Sequence, residues 1–339
     1  MNAIPGGPAP RRLRFALNAH GPRFEVYGLL CVASLRHWCG NRVEIRVYQP
    51  DNLPPCSEAA RRFFERREVE LVSFHNPWLP ERLEDPRSVP ARHLTYNKLF
   101  TLLDVEPTEQ RVFIDADQVL LGDPTELLLK QEAPAALVAT DTPEWFSENW
   151  DDFYQRMGLK PSSRRMNLWQ TYALGKEPEP PMVETSPHIC SGLVSVTADS
   201  LIPQRWLDLA TELEATIETL QQSFFVDQVS LTLAAEASHQ PWELLPRRCS
   251  TTPQVFRFIE APLFFHYCGF DALSAQAART PELHTHLRTI TAELRAETGI
   301  DLRLALLTQW PRWFRRAKGL ARNRLQRLGL WAARDTVRR

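Results

Sequence analysis

Arg111–Leu121 reads RVFIDADQVLL, an apolar run broken by two aspartates, and the fold follows from where that run sits. Val112, Phe113 and Ile114 form a β-rich stretch. Period-2 alternation beyond it predicts that Asp115 and Asp117 share one side while Ala116 faces the other. Working outward, comparable short runs at Arg12–Ala19, Val43–Pro50, Val69–Phe74, Ala135–Asp141 and Ser191–Ala198 also read as strands. Between them, Phe24–Arg36, Glu58–Arg67 and Arg92–Leu103 have the apolar spacing of helices packed on one side. Strand, helix, strand order predicts an α/β fold, a mainly parallel sheet flanked by helices. In such sheets ligands bind outside the carboxyl ends of the strands, so polar residues just after a strand are inspected first.

From Thr142 to Pro187 the pattern loosens: Trp and Pro are dense, Arg164 and Arg165 are adjacent, and GKEPEPPMVETSP (Gly175–Pro187) reads as a turn-rich link. A long helix near Pro203–Gln222, a helical run Phe224–Ala234 and a strand-like Pro262–Gly269 follow. The expected organisation is a leader at 1–11, an α/β catalytic body at 12–270, a helical C-terminal extension at 271–308 and a basic tail at 309–339. The segment 146–186 is an insertion in the body and a candidate acceptor lid.

Composition excludes several classes. With 43% hydrophobic and 24% charged residues, the chain is of the soluble globular type. The longest apolar candidate, Val26–Leu35, is about half the roughly 18 residues a spanning helix needs. The opening MNAIPGGPAPRRLR has Gly and Pro where a secretory signal needs an apolar region. Six cysteines with no C-x-x-C pair read as reduced thiols, which makes the cytosol the expected compartment. The formal net charge of −1 conceals a split. Residues 309–339 hold ten Arg or Lys against one acid, leaving 30 basic and 40 acidic residues in the rest of the chain. An acidic body with a basic tail suggests that the tail has a partner of its own.

The sharpest chemical feature is the Asp115-x-Asp117 pair. Two close carboxylates repel unless a cation or a proton lies between them, and hard oxygen donors favour Mg²⁺ or Mn²⁺ with positions left for substrate phosphates. The plain alternative is two acids capping the next turn. Phosphatases of the haloacid dehalogenase class also carry D-x-D after an apolar strand, but near the start of the domain and followed by G-T. Here QVLL follows instead.

The longer stretch YNKLFTLLDVEPTEQRVFIDADQVLLGDPTELL (Tyr96–Leu128) resembles the retaining glycosyltransferases of family 8, the group that includes glycogenin and bacterial lipopolysaccharide α-galactosyltransferases. VATDTPEW, ICSGLVSV, FFVDQVSL and FFHYCG continue the resemblance in order, and the match covers roughly Leu13 to Gly269. It implies a GT-A fold and transfer of a hexose from a nucleotide sugar, UDP-galactose or UDP-glucose, to a glycan or lipid-linked acceptor. It implies that Asp115, Asp117 and His266 bind Mn²⁺ or Mg²⁺, which holds the donor diphosphate. Lys98 matches a phosphate-facing cation, and Asp141, Asp227 and Gln228 match groups around the donor sugar, with Gln228 beneath the reacting carbon. Ala16, Asn18 and Phe24 are candidates for the nucleobase and ribose cradle. Ala116, Ser191 and Gly269 belong to the same donor-binding motifs. Each has a plainer alternative: a core histidine for His266, a solvated helix charge for Lys98, an ordinary N-terminal helix acid for Asp227.

Three departures stand out. Cys190 replaces the usual Asn before Ser-Gly, removing an amide that can donate two hydrogen bonds to the sugar. The K-P-W that often follows the histidine motif is replaced by FDALSA, so the second phosphate-facing lysine is absent, and Arg92, Arg164 or Arg165 are candidate substitutes. The 146–186 segment is longer than the corresponding link in glycogenin; Trp150 and Trp169 within it, and Trp145 just before it, suit either stacking on sugars or burial in a core. These departures keep open a sugar-nucleotide-binding protein that has lost catalysis.

In the tail, Trp313, Phe314, Ala317, Ala321, Leu325, Leu328 and Trp331 recur mostly at steps of three or four with Arg between them, and Pro311 suits a first helical turn. Such a helix lies readily on an anionic lipid surface, which would make the protein peripheral on the inner face of the cytoplasmic membrane. Packing on the body and, less favoured, nucleic-acid binding are the alternatives.

Overall fold

The structure is a computed structural model that describes residues 11–83, 88–140, 154–155, 157–170, 179–216 and 226–300. Asp141, Trp145, Trp150, the leader and the basic tail lie outside the described residues, apart from Arg11. Seven strands form one sheet in the order β10-β6-β9-β4-β1-β2-β3. They are β1 (Arg12–Asn18), β2 (Glu44–Pro50), β3 (Val69–Phe74), β4 (Glu109–Ile114), β6 (Ala135–Ala139), β9 (Ile189–Thr197) and β10 (Trp242–Leu244). Pairing is parallel except on the two sides of β9, which runs against both β4 and β6. The mixed, mostly parallel sheet expected from the sequence is the one observed.

Both faces of the sheet are buried, as they must be where helices cover each side. Val112 and Ile114 on β4 pack into a core with helix α1 (Gly21–Cys39), helix α2 (Glu58–Arg66) and the C-terminal helix α8 (Pro281–Thr298). Phe113, between them, points into a second core with α5 (Ile202–Thr216) and α6 (Val226–Ala237), built on Trp206, Leu209, Val229 and Leu233. Where β4 begins, charge is buried but matched: Arg111 bonds Glu109 at 2.6 Å and the Tyr48 hydroxyl at 2.9 Å, and Arg14 bonds Glu109 at 2.9 Å. Unpaired, such charges would each cost several kcal/mol, about 3–5 when one partner is removed.

Three differences from the sequence reading shape the site. Arg111–Leu121 is not one strand: it leaves the main sheet after Ile114, turns through Asp115–Asp117, and resumes as β5 (Gln118–Leu120). β5 pairs antiparallel with β11 (Phe264–His266) in a separate two-stranded ribbon, with Gln118 opposite His266. The link Gly175–Pro187 contains strand β8 (Glu179–Thr185), paired with β7 (Met166–Gln170); Pro180 and Pro181 are compatible with an edge position, where a missing N–H is harmless. Finally, the helix expected at Arg92–Leu103 is a short α3 (Ala91–Thr95) continued by 3₁₀ turns over Tyr96–Phe100.

Three buried histidines, His20, His188 and His286, are each held down to about pKa 4 by loss of solvent. Their folded values lie below the ordinary 6.5, so unfolding takes up protons between pH 6.5 and 4. Stability should therefore be full above pH 6.5 and fall as pH drops through this window, by roughly 1 kcal/mol per histidine per pH unit. His266, raised rather than lowered, adds stability that is complete below pH 6.5 and lost as pH rises above it, so it leaves the slope of this window unchanged. Melting temperature against pH checks the sign; a flat profile from pH 6.5 to 4 would contradict it.

Candidate active site

The carboxyl end of β4 is the focus. Because β9 is antiparallel to β4, its first residues rather than its last lie beside Asp115, and the Asp115 amide donates to the Gly192 carbonyl at 2.9 Å. The ribbon does the same for His266: the Tyr267 amide donates to the Asp117 carbonyl at 3.1 Å, and the His266 amide to the Thr251 carbonyl at 2.9 Å. His266 Nε2 then lies 3.2 Å from Asp117 Oδ1 and 3.8 Å from Asp115 Oδ2. Two carboxylates and an imidazole thus converge, the donor set that suits Mn²⁺ or Mg²⁺ with positions left for phosphate oxygens. Asp115 and Asp117 share a side as expected, but a turn achieves this, and Ala116 is buried in the core.

Behind this set lies a second cluster. Lys98, on the 3₁₀ turns, is only 7% exposed. Its Nζ donates to Asp115 Oδ2 at 3.2 Å and Ser191 Oγ at 3.1 Å, and forms ion pairs with Asp115 Oδ1 at 3.0 Å and Asp227 Oδ2 at 2.9 Å. Ser191 Oγ donates in turn to Asp227 Oδ2 at 2.5 Å. An ammonium has three donors and all three are engaged, so Lys98 is neither a solvated helix charge nor free to face a phosphate in this arrangement. Asp227 opens α6, and its position is fixed by the Trp206 indole, which donates to the Asp227 carbonyl at 2.8 Å. Gln228 beside it is half-buried.

Burial opposes charge on Lys98, but Asp115 and Asp227 outweigh it and raise the ammonium above its ordinary range. Burial pushes the Asp115 carboxyl up. The same burial acts on Asp117, but the His266 charge outweighs it and holds this carboxyl below its usual range. His266 is lowered by burial but raised more strongly by Cys268 and Asp117, ending well above 6.5. Opposite charge thus favours the ionised form of Asp117 while burial favours the protonated form of Asp115, and a divalent cation placed between them would take the place of that proton.

The remaining positions spread around this centre. Ala16 is fully buried inside β1, paired with Arg46 and Phe113, so its side chain meets no ligand surface. Asn18 ends the strand, and its Oδ1 is buried with no hydrogen-bond partner among the described residues. Phe24 stacks on His20 with ring centres 4.6 Å apart. Tyr27 continues from Phe24 to Tyr267 and Phe270, an aromatic wall joining the end of β1 to the His266 loop. Gly269 caps helix α7 (Phe270–Ala277) with open space where a side chain would lie. Arg92 is clamped on Glu214 at 2.7–2.9 Å, and the Arg164 guanidinium lies 3.9 Å over the Trp242 ring. Cys190 is buried against the His266 ring, its sulfur accepting from the Gly192 amide at 3.4 Å.

Sequence reasoning missed two residues. Gly192 packs so closely that a Cβ there would lie 3.0 Å from Gln118 Nε2 and from two atoms of the His266 ring. Cys268 brings its sulfur into one group with Asp117 and His266, all ligand atoms lying within 4.8 Å of one another. The spacing His266-x-Cys268 carries that signal, which the absence of a C-x-x-C pair or of clustered zinc spacing conceals.

The mixed sheet, with two clusters of acids and bases at its carboxyl edge, is that of a GT-A glycosyltransferase. The chain belongs to the family described as the Rhodobacterales glycosyltransferase domain, whose model matches residues 15–239. Among solved structures, a galactosyltransferase, LgtC, in complex with donor and acceptor sugar analogues aligns with TM-score 0.51 and 15% identity over 84% of this chain and 99% of that one. An active-site mutant of LgtC gives TM-score 0.49 at 14% identity over 84% and 99%. The glycosyltransferase GlyE of Streptococcus pneumoniae TIGR4 gives 0.40 at 12% over 76% and 55%. No curated protein matches the chain. Among the described residues no helix is long and apolar enough to cross a membrane.

Proposed function

We propose that this glycosyltransferase moves a hexose, with retention, from a nucleotide diphosphosugar to a glycan or lipid-linked glycan acceptor. UDP-galactose or UDP-glucose is the proposed donor, and Mn²⁺ or Mg²⁺ the proposed cofactor. The observation that carries the reading is the meeting of Asp117 and His266 at 3.2 Å beside Asp115. Those three residues would hold the ion, which when bound supplies a Lewis acid for the departing diphosphate. Asp227, Gln228 and Asp141 would orient the hydroxyls of the donor sugar. Lys98 acts through others: by bonding Asp115 and Asp227 at once, it fixes the ion-holding edge relative to the sugar-holding edge. Asn18, with its unused acceptor, and the Phe24 ring would meet the nucleoside. The N-terminal turn of α7 at Gly269 supplies main-chain N–H groups of the kind that receive phosphate.

The test is transfer or hydrolysis from a panel of nucleotide sugars with and without Mn²⁺. Activity on one donor, lost in Asp117→Ala, is expected. A wild type that binds no UDP in the presence of Mn²⁺ would sink the reading, and donor binding with no turnover would reduce it to a binding protein. Gly192→Ala gives a finer check. The new methyl crowds the His266 ring, so Mn²⁺ affinity measured by calorimetry should fall about 10- to 100-fold. Unchanged affinity would show that Gly192 does not set the ring's position.

The body and tail divisions at residues 270 and 309 belong to the same proposal. The aromatic and arginine-rich tail would hold the enzyme at an anionic inner-membrane surface, close to a lipid-linked acceptor. Co-sedimentation with anionic liposomes should be lost when residues 310–339 are removed; equal sedimentation of both chains would refute it.

A further inference from the structure

The ion-holding edge carries one donor more than hard-ion chemistry uses. Cys268 lies two residues after His266 on the turn that leaves β11, and its side chain is exposed. Its sulfur joins Asp117 and His266 in a group whose ligand atoms are mutually within 4.8 Å, while Asp115 is not a member of that group. The described residues therefore present two overlapping triads that share Asp117 and His266: one completed by a carboxylate, the other by a thiol. Donor chemistry separates them. Two carboxylates and an imidazole suit Mn²⁺ and Mg²⁺, whereas one carboxylate, one imidazole and one thiolate suit Zn²⁺ or Co²⁺ in a tetrahedral site with a fourth position open. Metal–ligand bonds of about 2.0–2.3 Å are reachable from this spread by side-chain rotation. The buried Cys190, which also adjoins the His266 side chain, is not part of the group.

We propose that Asp117, His266 and Cys268 form a second, softer coordination mode that captures Zn²⁺ or Co²⁺ and competes with the Asp115-containing mode. It rests on the reading of Asp117 and His266 as ion ligands. Capture forms a metal–sulfur bond and releases the thiol proton to water, with no change of oxidation state. The two modes cannot be filled together, because Asp117 and His266 serve both. A Zn²⁺-loaded molecule would therefore be blocked for Mn²⁺-dependent donor binding until a chelator or excess Mn²⁺ displaced the ion.

Cobalt provides the test, since a Co²⁺–thiolate bond gives a near-ultraviolet charge-transfer band that a carboxylate or imidazole does not. The full-length protein titrated with Co²⁺ should develop this band. Cys268→Ser should abolish it and weaken Co²⁺ and Zn²⁺ binding at least about tenfold, ligand loss costing no less than loss of a supporting contact, with Mn²⁺ affinity within twofold of wild type. Cys190→Ser should keep the band. Co²⁺ binding by the wild type without the band would overturn the thiolate mode and leave the underlying site intact. A band that persists in Cys268→Ser would assign the sulfur elsewhere and likewise overturn it. If neither Co²⁺ nor Mn²⁺ binds, the reading of Asp117 and His266 as ligands falls, and this inference with it.

Discussion

Lys98→Met should lower the melting temperature by about 10 °C and reduce glycosyl transfer to near background. The side chain is nearly fully buried and supplies the positive charge shared by Asp115 and Asp227, at 3.0 and 2.9 Å. Methionine fills much of the same space but takes the shared charge from the buried Asp227 and the partly exposed Asp115, a loss of about 3–5 kcal/mol. At roughly 2–4 °C per kcal/mol for a domain near this size, the shift is well outside error. The double variant Lys98→Met with Asp227→Asn removes one of the stranded charges and should recover part of the lost stability without recovering transfer. Calorimetry of the three proteins decides the matter. A Lys98→Met protein as stable as wild type would mean that the two carboxylates do not depend on Lys98.

Asp117→Ala should have the opposite balance, with a large effect on transfer and a small one on folding. Asp117 stands at the outer edge of the site, its carboxylate 3.2 Å from His266, and it belongs to both proposed triads. Removing it should cut transfer by at least about a hundredfold, the scale on which loss of one group that stabilises developing charge is felt. The same substitution should abolish Mn²⁺-dependent UDP binding while moving the melting temperature by only a few degrees. Steady-state rates with saturating donor, set beside equilibrium UDP binding with and without Mn²⁺, test both halves. Transfer retained within threefold would exclude Asp117 from the ion.

Much of this could be read from the amino-acid order, for physical reasons that differ from residue to residue. The strands at Arg12, Val43 and Ala135 were legible because sheet burial on both faces demands continuous β-rich runs, and the half-exposed edge strand at Val69 because its β-branched residues lie between turn signals. Asp115, Asp117 and His266, singled out by the family resemblance, lie together in the fold because β5 pairs with β11. The strand break after Ile114 was hidden, since the apolar run continues on both sides of the turn and only pairing with β11 shows that β5 has left the main sheet. The reversed direction of β9 was equally hidden, because strand periodicity is the same in both senses. That is why Ser191 was legible as a motif member but not as the hydroxyl that bridges Lys98 and Asp227. The hairpin of β7 and β8 was obscured by its prolines, and Cys268 by the lack of a second cysteine at metal-ligand spacing.

The separation of the ribbon β5–β11 from the seven-stranded sheet also bears on how the enzyme comes apart. Asp115 and Ser191 stand at the end of β4 and in β9, Asp227 at the start of α6 and Lys98 on the 3₁₀ turns, whereas His266 is borne by the ribbon, which is only three residue pairs long. The ribbon is nonetheless anchored: Val119, Leu120, Phe264 and Phe265 are fully buried in the same core as Val112 and Ile114. A unit with that much apolar burial opens together with the sheet it packs on. Loss of transfer and loss of fold should therefore coincide along a denaturant gradient.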